Sequence, residues 1–138
     1  MKYVGLDGRT YTINASDYVV YNNEDESKSQ YHLKARQLIK TIFPCDIVLE
    51  EVLLKGSKTG SNKNLRADFL IPARKIMIEV HGQQHYQSVG HFYQTPEDFN
   101  RAVLRDKVKA DWAETNDITL IVLPYNEDEN EWKQRLRG

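Results

Sequence analysis

The stretch that decides the fold is Arg66–Tyr86, RADFLIPARKIMIEVHGQQHY. It holds two runs of alternating character separated by Pro72-Ala73, a pair suited to a turn. In Leu65–Ile71 the alternation puts Ala67, Phe69 and Ile71 on one face and Arg66, Asp68 and Leu70 on the other. In Lys75–His81, Ile76, Ile78 and Val80 share a face, and Met77, Glu79 and His81 share the opposite one. A short turn makes the two strands neighbours, so Asp68, Glu79 and His81 converge. Two carboxylates aimed at one point raise the cost of ionising each other, and a divalent cation removes that cost. Magnesium takes hard oxygen ligands and keeps waters for phosphate substrates, so metal-assisted phosphodiester chemistry is expected, with Asp68 and Glu79 as metal ligands. His81 is then placed to act as general base or to orient the water.

Working outward, the upstream segment predicts a helix from about Ser27, since Ser27 and Gln30 have capping-box spacing. Tyr31, Ala35, Leu38, Ile39 and Ile42 form its apolar stripe, and Pro44 ends it. Asp46–Leu54 is a strand candidate, and Lys55–Asn64 reads as a basic, mobile loop. Downstream, Thr95, Pro96 and Asp98 mark a helix start. Phe99, Ala102, Val103, Ala110 and Ala113 make its stripe, with Asp106 anomalous in the middle and Lys109 three residues on. A carboxylate facing a sheet needs a partner, which a cation or a histidine would supply. Ile118–Leu123 predicts a strand buried on both faces, and Asn126 with Glu129 a capped final helix.

Before these elements, Asp7-Gly8 predicts a hairpin within Met1–Val20, and Asn22–Glu26 an exposed linker. The expectation is one α/β domain over 1–138, a mixed central sheet flanked by helices. It divides into an N-terminal hairpin extension (1–22), a core (27–125) and a C-terminal helix (126–138).

The chain has 138 residues, 40 % hydrophobic and 28 % charged, enough for one real core. No apolar run is long enough to cross a membrane, and MKYVGLDGRTY lacks the apolar stretch of a secretory signal. Cys45 is the single cysteine, which excludes an internal disulfide and a cysteine-based zinc site and fits a cytoplasmic setting. Net charge is -1, so a strongly basic nucleic-acid binder is excluded. The charge is uneven: Lys28–Lys75 carries ten basic and four acidic residues, a basic middle able to steer a polyanion between acidic ends. His85, in a loop beside the carboxylates, suits a phosphate or acid role. His91 is a weaker candidate, and His32 on a helix face reads as structural or solvent-exposed.

At Arg66–Tyr86 the sequence resembles the PD-(D/E)xK nuclease superfamily, with Asp68 in the first acidic position and Glu79 in the second. The family's lysine, two residues after the second acid, is replaced here by His81. This resembles the branch of very-short-patch repair endonucleases and the phage homing endonucleases called EDxHD. The resemblance implies that Asp106 supplies the later aspartate, and that the nearest first-helix acid is Glu26. It implies a magnesium-dependent endonuclease, with manganese able to substitute, acting on double-stranded DNA in a phage-infected or bacterial cell, as a possible homodimer. Lys58, Lys63, Arg66 and Lys109 would contact backbone phosphates. Two alternatives stay open: a non-catalytic nucleic-acid or protein-binding module on a nuclease scaffold, and a nuclease acting on RNA or branched DNA.

Overall fold

The computed structural model describes residues 1–18, 29–57, 63–82 and 96–138, less the side chains of 98 and 99. Strands β1 (Lys2–Val4) and β2 (Thr10–Thr12) form the N-terminal hairpin, followed by a 3-10 turn, Ala15–Asp17. Helix α1 (Gln30–Ile42) leads into β3 (Leu49–Leu54), β4 (Leu65–Ile71) and β5 (Ile76–His81). Helix α2 (Pro96–Thr115), β6 (Thr119–Pro124) and α3 (Glu129–Arg137) complete the chain. The four-stranded sheet has the order β3-β4-β5-β6, with β3, β4 and β5 antiparallel and β6 parallel to β5. That last pairing requires a crossover, and α2 provides it.

Both faces of the sheet are covered, as expected of an α/β arrangement. On one face Leu70 and Met77 pack with Trp112 and Ala113 of α2 and with Ile13 beside the hairpin. On the other, Phe69, Ile71 and Ile78 pack with Ala35, Leu38 and Ile39 of α1 and with Trp132 and Leu136 of α3. The two tryptophans and Phe69 are wholly buried. Each fully buried side chain of this size stabilises by roughly 2–3 kcal/mol, so these two layers hold the sheet rigid under the site.

Several boundaries differ from the sequence expectation, each for a local reason. Ser29 caps α1, its Oγ accepting the His32 N–H at 3.2 Å; Ser27 lies outside the described residues. Asp128 caps α3 by accepting the Glu131 N–H at 2.8 Å, because a carboxylate there also meets the helix dipole. The β4–β5 connection is longer than two residues: Pro72–Arg74 makes a 3-10 turn closed by Lys75 in a left-handed conformation, φ 52°. Among the described residues β6 has β5 as its one strand neighbour, and Thr119 is exposed while Leu120, Ile121 and Val122 are only half-buried. On α2, Val103 is 51 % exposed, and the inward stripe runs Ala102, Asp106, Lys109, Ala113 with Trp112 beside it. The caps expected at Thr95 and the linker Asn22–Glu26 lie outside the described residues. Among those residues, no helix is long and apolar enough to cross a membrane.

The even alternation expected of β4 breaks at Asp68. Ala67 joins the α2-side core with Leu70, while Phe69 and Ile71 join the opposite one. Strand β3 breaks at the same level, where Glu51 has φ 52°. The pairs Glu50↔Phe69 and Val52↔Ala67 flank the level at which Glu51 stands opposite Asp68, and no regular pair forms there. Left-handed backbone at a non-glycine residue costs on the order of 1 kcal/mol and persists where the surroundings impose it.

Candidate active site

The irregular level is also where the acidic residues meet. Regular β4–β5 pairing stops at Phe69↔Ile78, one step short of Asp68 and Glu79. From there the side chains replace the ladder. The Asp68 N–H donates to Glu79 Oε2 at 2.7 Å, and the Val80 N–H donates to Asp68 Oδ2 at 2.8 Å. Each carboxylate thus satisfies an amide of the other strand, and the pair is fixed by backbone rather than by mobile side chains. Glu51, Asp68 and Glu79 form a row of three carboxyls across three adjacent strands.

Glu79 is 3 % exposed. Burial, and after it repulsion from Asp68, pushes its carboxyl up to about 7. Asp68 is raised as well, chiefly by burial, against the pull of the Val80 amide and of Lys109. Lys109 reaches in from α2 and places Nζ 2.6 Å from Glu79 Oε1. Burial alone would depress an ammonium, but the attraction and hydrogen bond of Glu79 outweigh it, and Lys109 titrates above its ordinary value. Asp106, half-buried one turn earlier on the same helix, adds to that attraction.

A second polar group backs the first from α1. Glu50 accepts from Arg36 Nε and Nη2, both at 2.8 Å, and His32 Nε2 lies 2.8 Å from Glu50 Oε1. All three side chains are buried. Burial would raise the Glu50 carboxyl, but the hydrogen bonds from His32 and Arg36 prevail and hold it below its usual value. The His32 ring stacks on Phe69, with centroids 4.5 Å apart. Its orientation is therefore set on two sides. One ring nitrogen of His32, one oxygen of Glu51 and one of Asp68 lie within 4.8 Å of one another, a spacing that suits a single cation. A carboxylate bonded to the other side of a ligating imidazole is the usual way such a ring is aligned.

The sequence-derived candidates fall as follows. Asp68 and Glu79 are adjacent, and Lys109 is bonded to Glu79 at the centre. His81 ends β5, half-buried, with its carbonyl accepting the Tyr125 N–H at 2.9 Å. Asp106 flanks Lys109. Lys63 and Arg66 are exposed, and Arg66 Nη1 donates to the Glu51 carbonyl at 3.0 Å. Lys58, His85, His91 and Glu26 lie outside the described residues. Sequence reading missed Glu51, the Arg36–Glu50 pair and the placement of His32, which is 5 % exposed. Two signals were present: His32 and Arg36 stand four apart on one helix face, and Glu50-Glu51 interrupts an otherwise apolar strand.

Comparison with known proteins adds one similarity. The chain is 36 % identical over 69 residues to "Uncharacterized protein 307L" of Invertebrate iridescent virus 6, an overlap of 50 % of this chain. The overlap covers 35 % of that relative's length. No protein-family model and no solved structure matches the chain.

Proposed function

We propose that this chain is a cation-dependent DNA endonuclease centred on Asp68, Glu79 and Lys109. One observation carries the reading: two buried carboxylates, cross-bonded through the amides of adjacent strands, share a row with Glu51 and a lysine ammonium 2.6 Å from Glu79. Structural ion pairs seldom stack a third carboxyl on a buried pair, because each raises the cost of the next. The row therefore suits a site that meets positive charge when in use. The Asp68–Glu79 strand–turn–strand unit also agrees with the nuclease resemblance, and Lys109 supplies from α2 the ammonium that the family places two residues after the second acid.

The cation donors are Asp68, Glu51 and His32. Both Glu79 oxygens already accept hydrogen bonds, from Lys109 and from the Asp68 amide, so Glu79 contributes through Lys109. An imidazole in the set suits manganese-type ions better than magnesium, which takes oxygen ligands. Held by these residues, such an ion would supply Lewis-acid chemistry, polarising a phosphoryl oxygen and lowering the pKa of a bound water. Lys109 Nζ brings positive charge to the phosphate. Glu79, poised near pH 7, takes or releases a proton at its carboxyl, and His81 at the end of β5 is the second proton acceptor.

A supercoiled plasmid incubated with Mn²⁺ or Mg²⁺ tests the reading. Nicking is expected to require the cation, and Asp68→Asn is expected to lose at least about 100-fold in rate while folding normally. No nicking with any divalent cation, or nicking by Asp68→Asn at the wild-type rate, would reject it. A non-catalytic binding module is the second reading, favoured by the Lys109–Glu79 ion pair that already neutralises one carboxylate; it requires DNA retention without nicking.

A further inference from the structure

Beside the carboxylate row, a cleft of about 340 Å³ opens between the start of β4 and the middle of α2. Its walls carry Lys63, Arg101 and Arg105, and among the described residues no acidic side chain lines it. We infer that this cleft is a subsite for a backbone phosphate of double-stranded DNA flanking the one that is cut. The inference rests on the endonuclease reading and names residues that the sequence pattern did not single out, Arg101 and Arg105.

The chain has a net charge of -1, so three cations around one cleft are not a consequence of general basicity. Arg101 already holds a contact within the protein, and a guanidinium with five N–H donors can take a phosphate oxygen as well, so the three cations on one cleft wall favour an anion there. The cleft is also held in shape. Ser57, wholly buried, accepts the Leu65 N–H on its Oγ at 2.8 Å, and its own N–H donates to the Leu54 carbonyl at 3.1 Å. This ties Ser57 to Leu65, two residues from Lys63 on the cleft wall. Leu104, 51 % exposed, gives the cleft an apolar rim, a surface suited to a sugar face.

Position identifies the ligand. Arg105 is four residues before Lys109, one helical turn of about 5.4 Å. Leu65 is three residues before Asp68, about 10 Å along the strand. At 3.4 Å per nucleotide along a duplex axis, the cleft lies within roughly three nucleotides of the row. Arginines on a helix face can engage phosphates without reading bases, so the contact is sequence-independent and salt-sensitive.

Fluorescence anisotropy of a labelled 20-base-pair duplex in EDTA, titrated from 50 to 200 mM salt, reads this contact without cleavage. The double substitution R101Q/R105Q is expected to reduce the slope of log K against log salt by about 2, since each phosphate contact contributes about 0.9. K63Q should reduce it by about 1. R137Q, on an exposed site of α3, should leave it unchanged. All four side chains are exposed, so circular dichroism should be unaltered. A double variant with the wild-type affinity and slope overturns the subsite, as does displacement of the duplex by micromolar inorganic phosphate, which would mark a small-anion site. Failure of the two readings is separable. Duplex binding that depends on the cleft, with no nicking under any cation, removes the endonuclease and keeps the subsite. Nicking with unchanged KM in R101Q/R105Q does the reverse.

Discussion

Removing the charge of Glu79 should change how the metal-free protein responds to pH, and the change can be sized. Its carboxyl stands at about 7 in the folded protein against an ordinary value of 4.5. The sign follows from proton counts. Between these two pH values the unfolded chain has given up this proton while the folded chain retains it. The unfolded state binds fewer protons, so stability falls as pH rises through the window. Each pH unit of displacement is worth about 1.4 kcal/mol, so the loss from pH 4.5 to above pH 7 is about 3 kcal/mol. Glu50 is displaced in the opposite direction and contributes stability above its unfolded value, which is common to wild type and variant. Asp68 is raised too and repels Glu79, so the difference between wild type and Glu79→Gln reads the Glu79 carboxyl together with its coupling to Asp68. Gln keeps one acceptor oxygen, so it can serve the Asp68 amide or Lys109 but not both in the geometry of the carboxylate, a loss that offsets the variant's curve without changing its slope with pH. Urea unfolding in EDTA, followed by fluorescence of the buried Trp112 and Trp132, supplies both curves. Relative to wild type, Glu79→Gln should gain about 3 kcal/mol between pH 5 and pH 8. A wild type and variant that run parallel over this range would refute the description of Glu79 as a carboxyl raised by burial and by Asp68.

The other expectations concern single side chains. His81→Ala should slow nicking by on the order of 10²–10⁴-fold and weaken the acidic limb of the pH–rate profile, read by single-turnover assays from pH 5.5 to 8.5; an unchanged profile would remove His81 from proton transfer. Arg36→Met strands the Glu50 carboxylate and should cost about 3 kcal/mol in urea unfolding at pH 7, whereas a loss below about 1 kcal/mol would show that His32 alone compensates it. Glu51→Gly and Glu51→Ala remove the same repulsive charge, but only Gly relieves the left-handed backbone, so it should be more stable than Glu51→Ala by up to about 1 kcal/mol, while both lose the manganese-induced rise in Tm. A manganese response equal to that of wild type in both variants would take Glu51 out of the ligand set.

The secondary structure was legible where one periodicity dominated. Leu65–Ile71 and Ile76–His81 carry strand alternation bounded by a proline turn, and both elements stand within a residue of their expected limits. On β5 even the faces agree, since Met77 packs toward α2 and Ile78 toward α1. On the α2 stripe Ala102, Asp106 and Ala113 face inward as expected, and Val103, taken as inward on hydrophobicity alone, does not. The inward line continues through Lys109, a charged residue that an apolar template rejects. Among the described residues β6 has one strand neighbour, which was also beyond periodicity, because an apolar run reads alike on an edge and in the middle of a sheet.

The site was legible in its Asp68–Glu79 pair and not in its surroundings, and the reason is register. That Asp68 and Glu79 face each other follows from alternation and one turn, both local in sequence. That Glu51 completes the row depends on how β3 slides against β4 across a connection of some ten residues, which no local pattern encodes. Alternation also points the wrong way here. With an even pleat Glu51 would follow Leu49 toward the α2 side and Val52 would not, yet Leu49 and Val52 share one core. The left-handed turn of the backbone at Glu51 reconciles them, and it sends Glu50 to Arg36 and His32 while leaving Glu51 level with Asp68. A strand free of chemical duties would relieve that strain with a glycine and that repulsion with a valine. A glutamate kept at a strained position, beside two raised carboxyls, is what the proposed cation site requires.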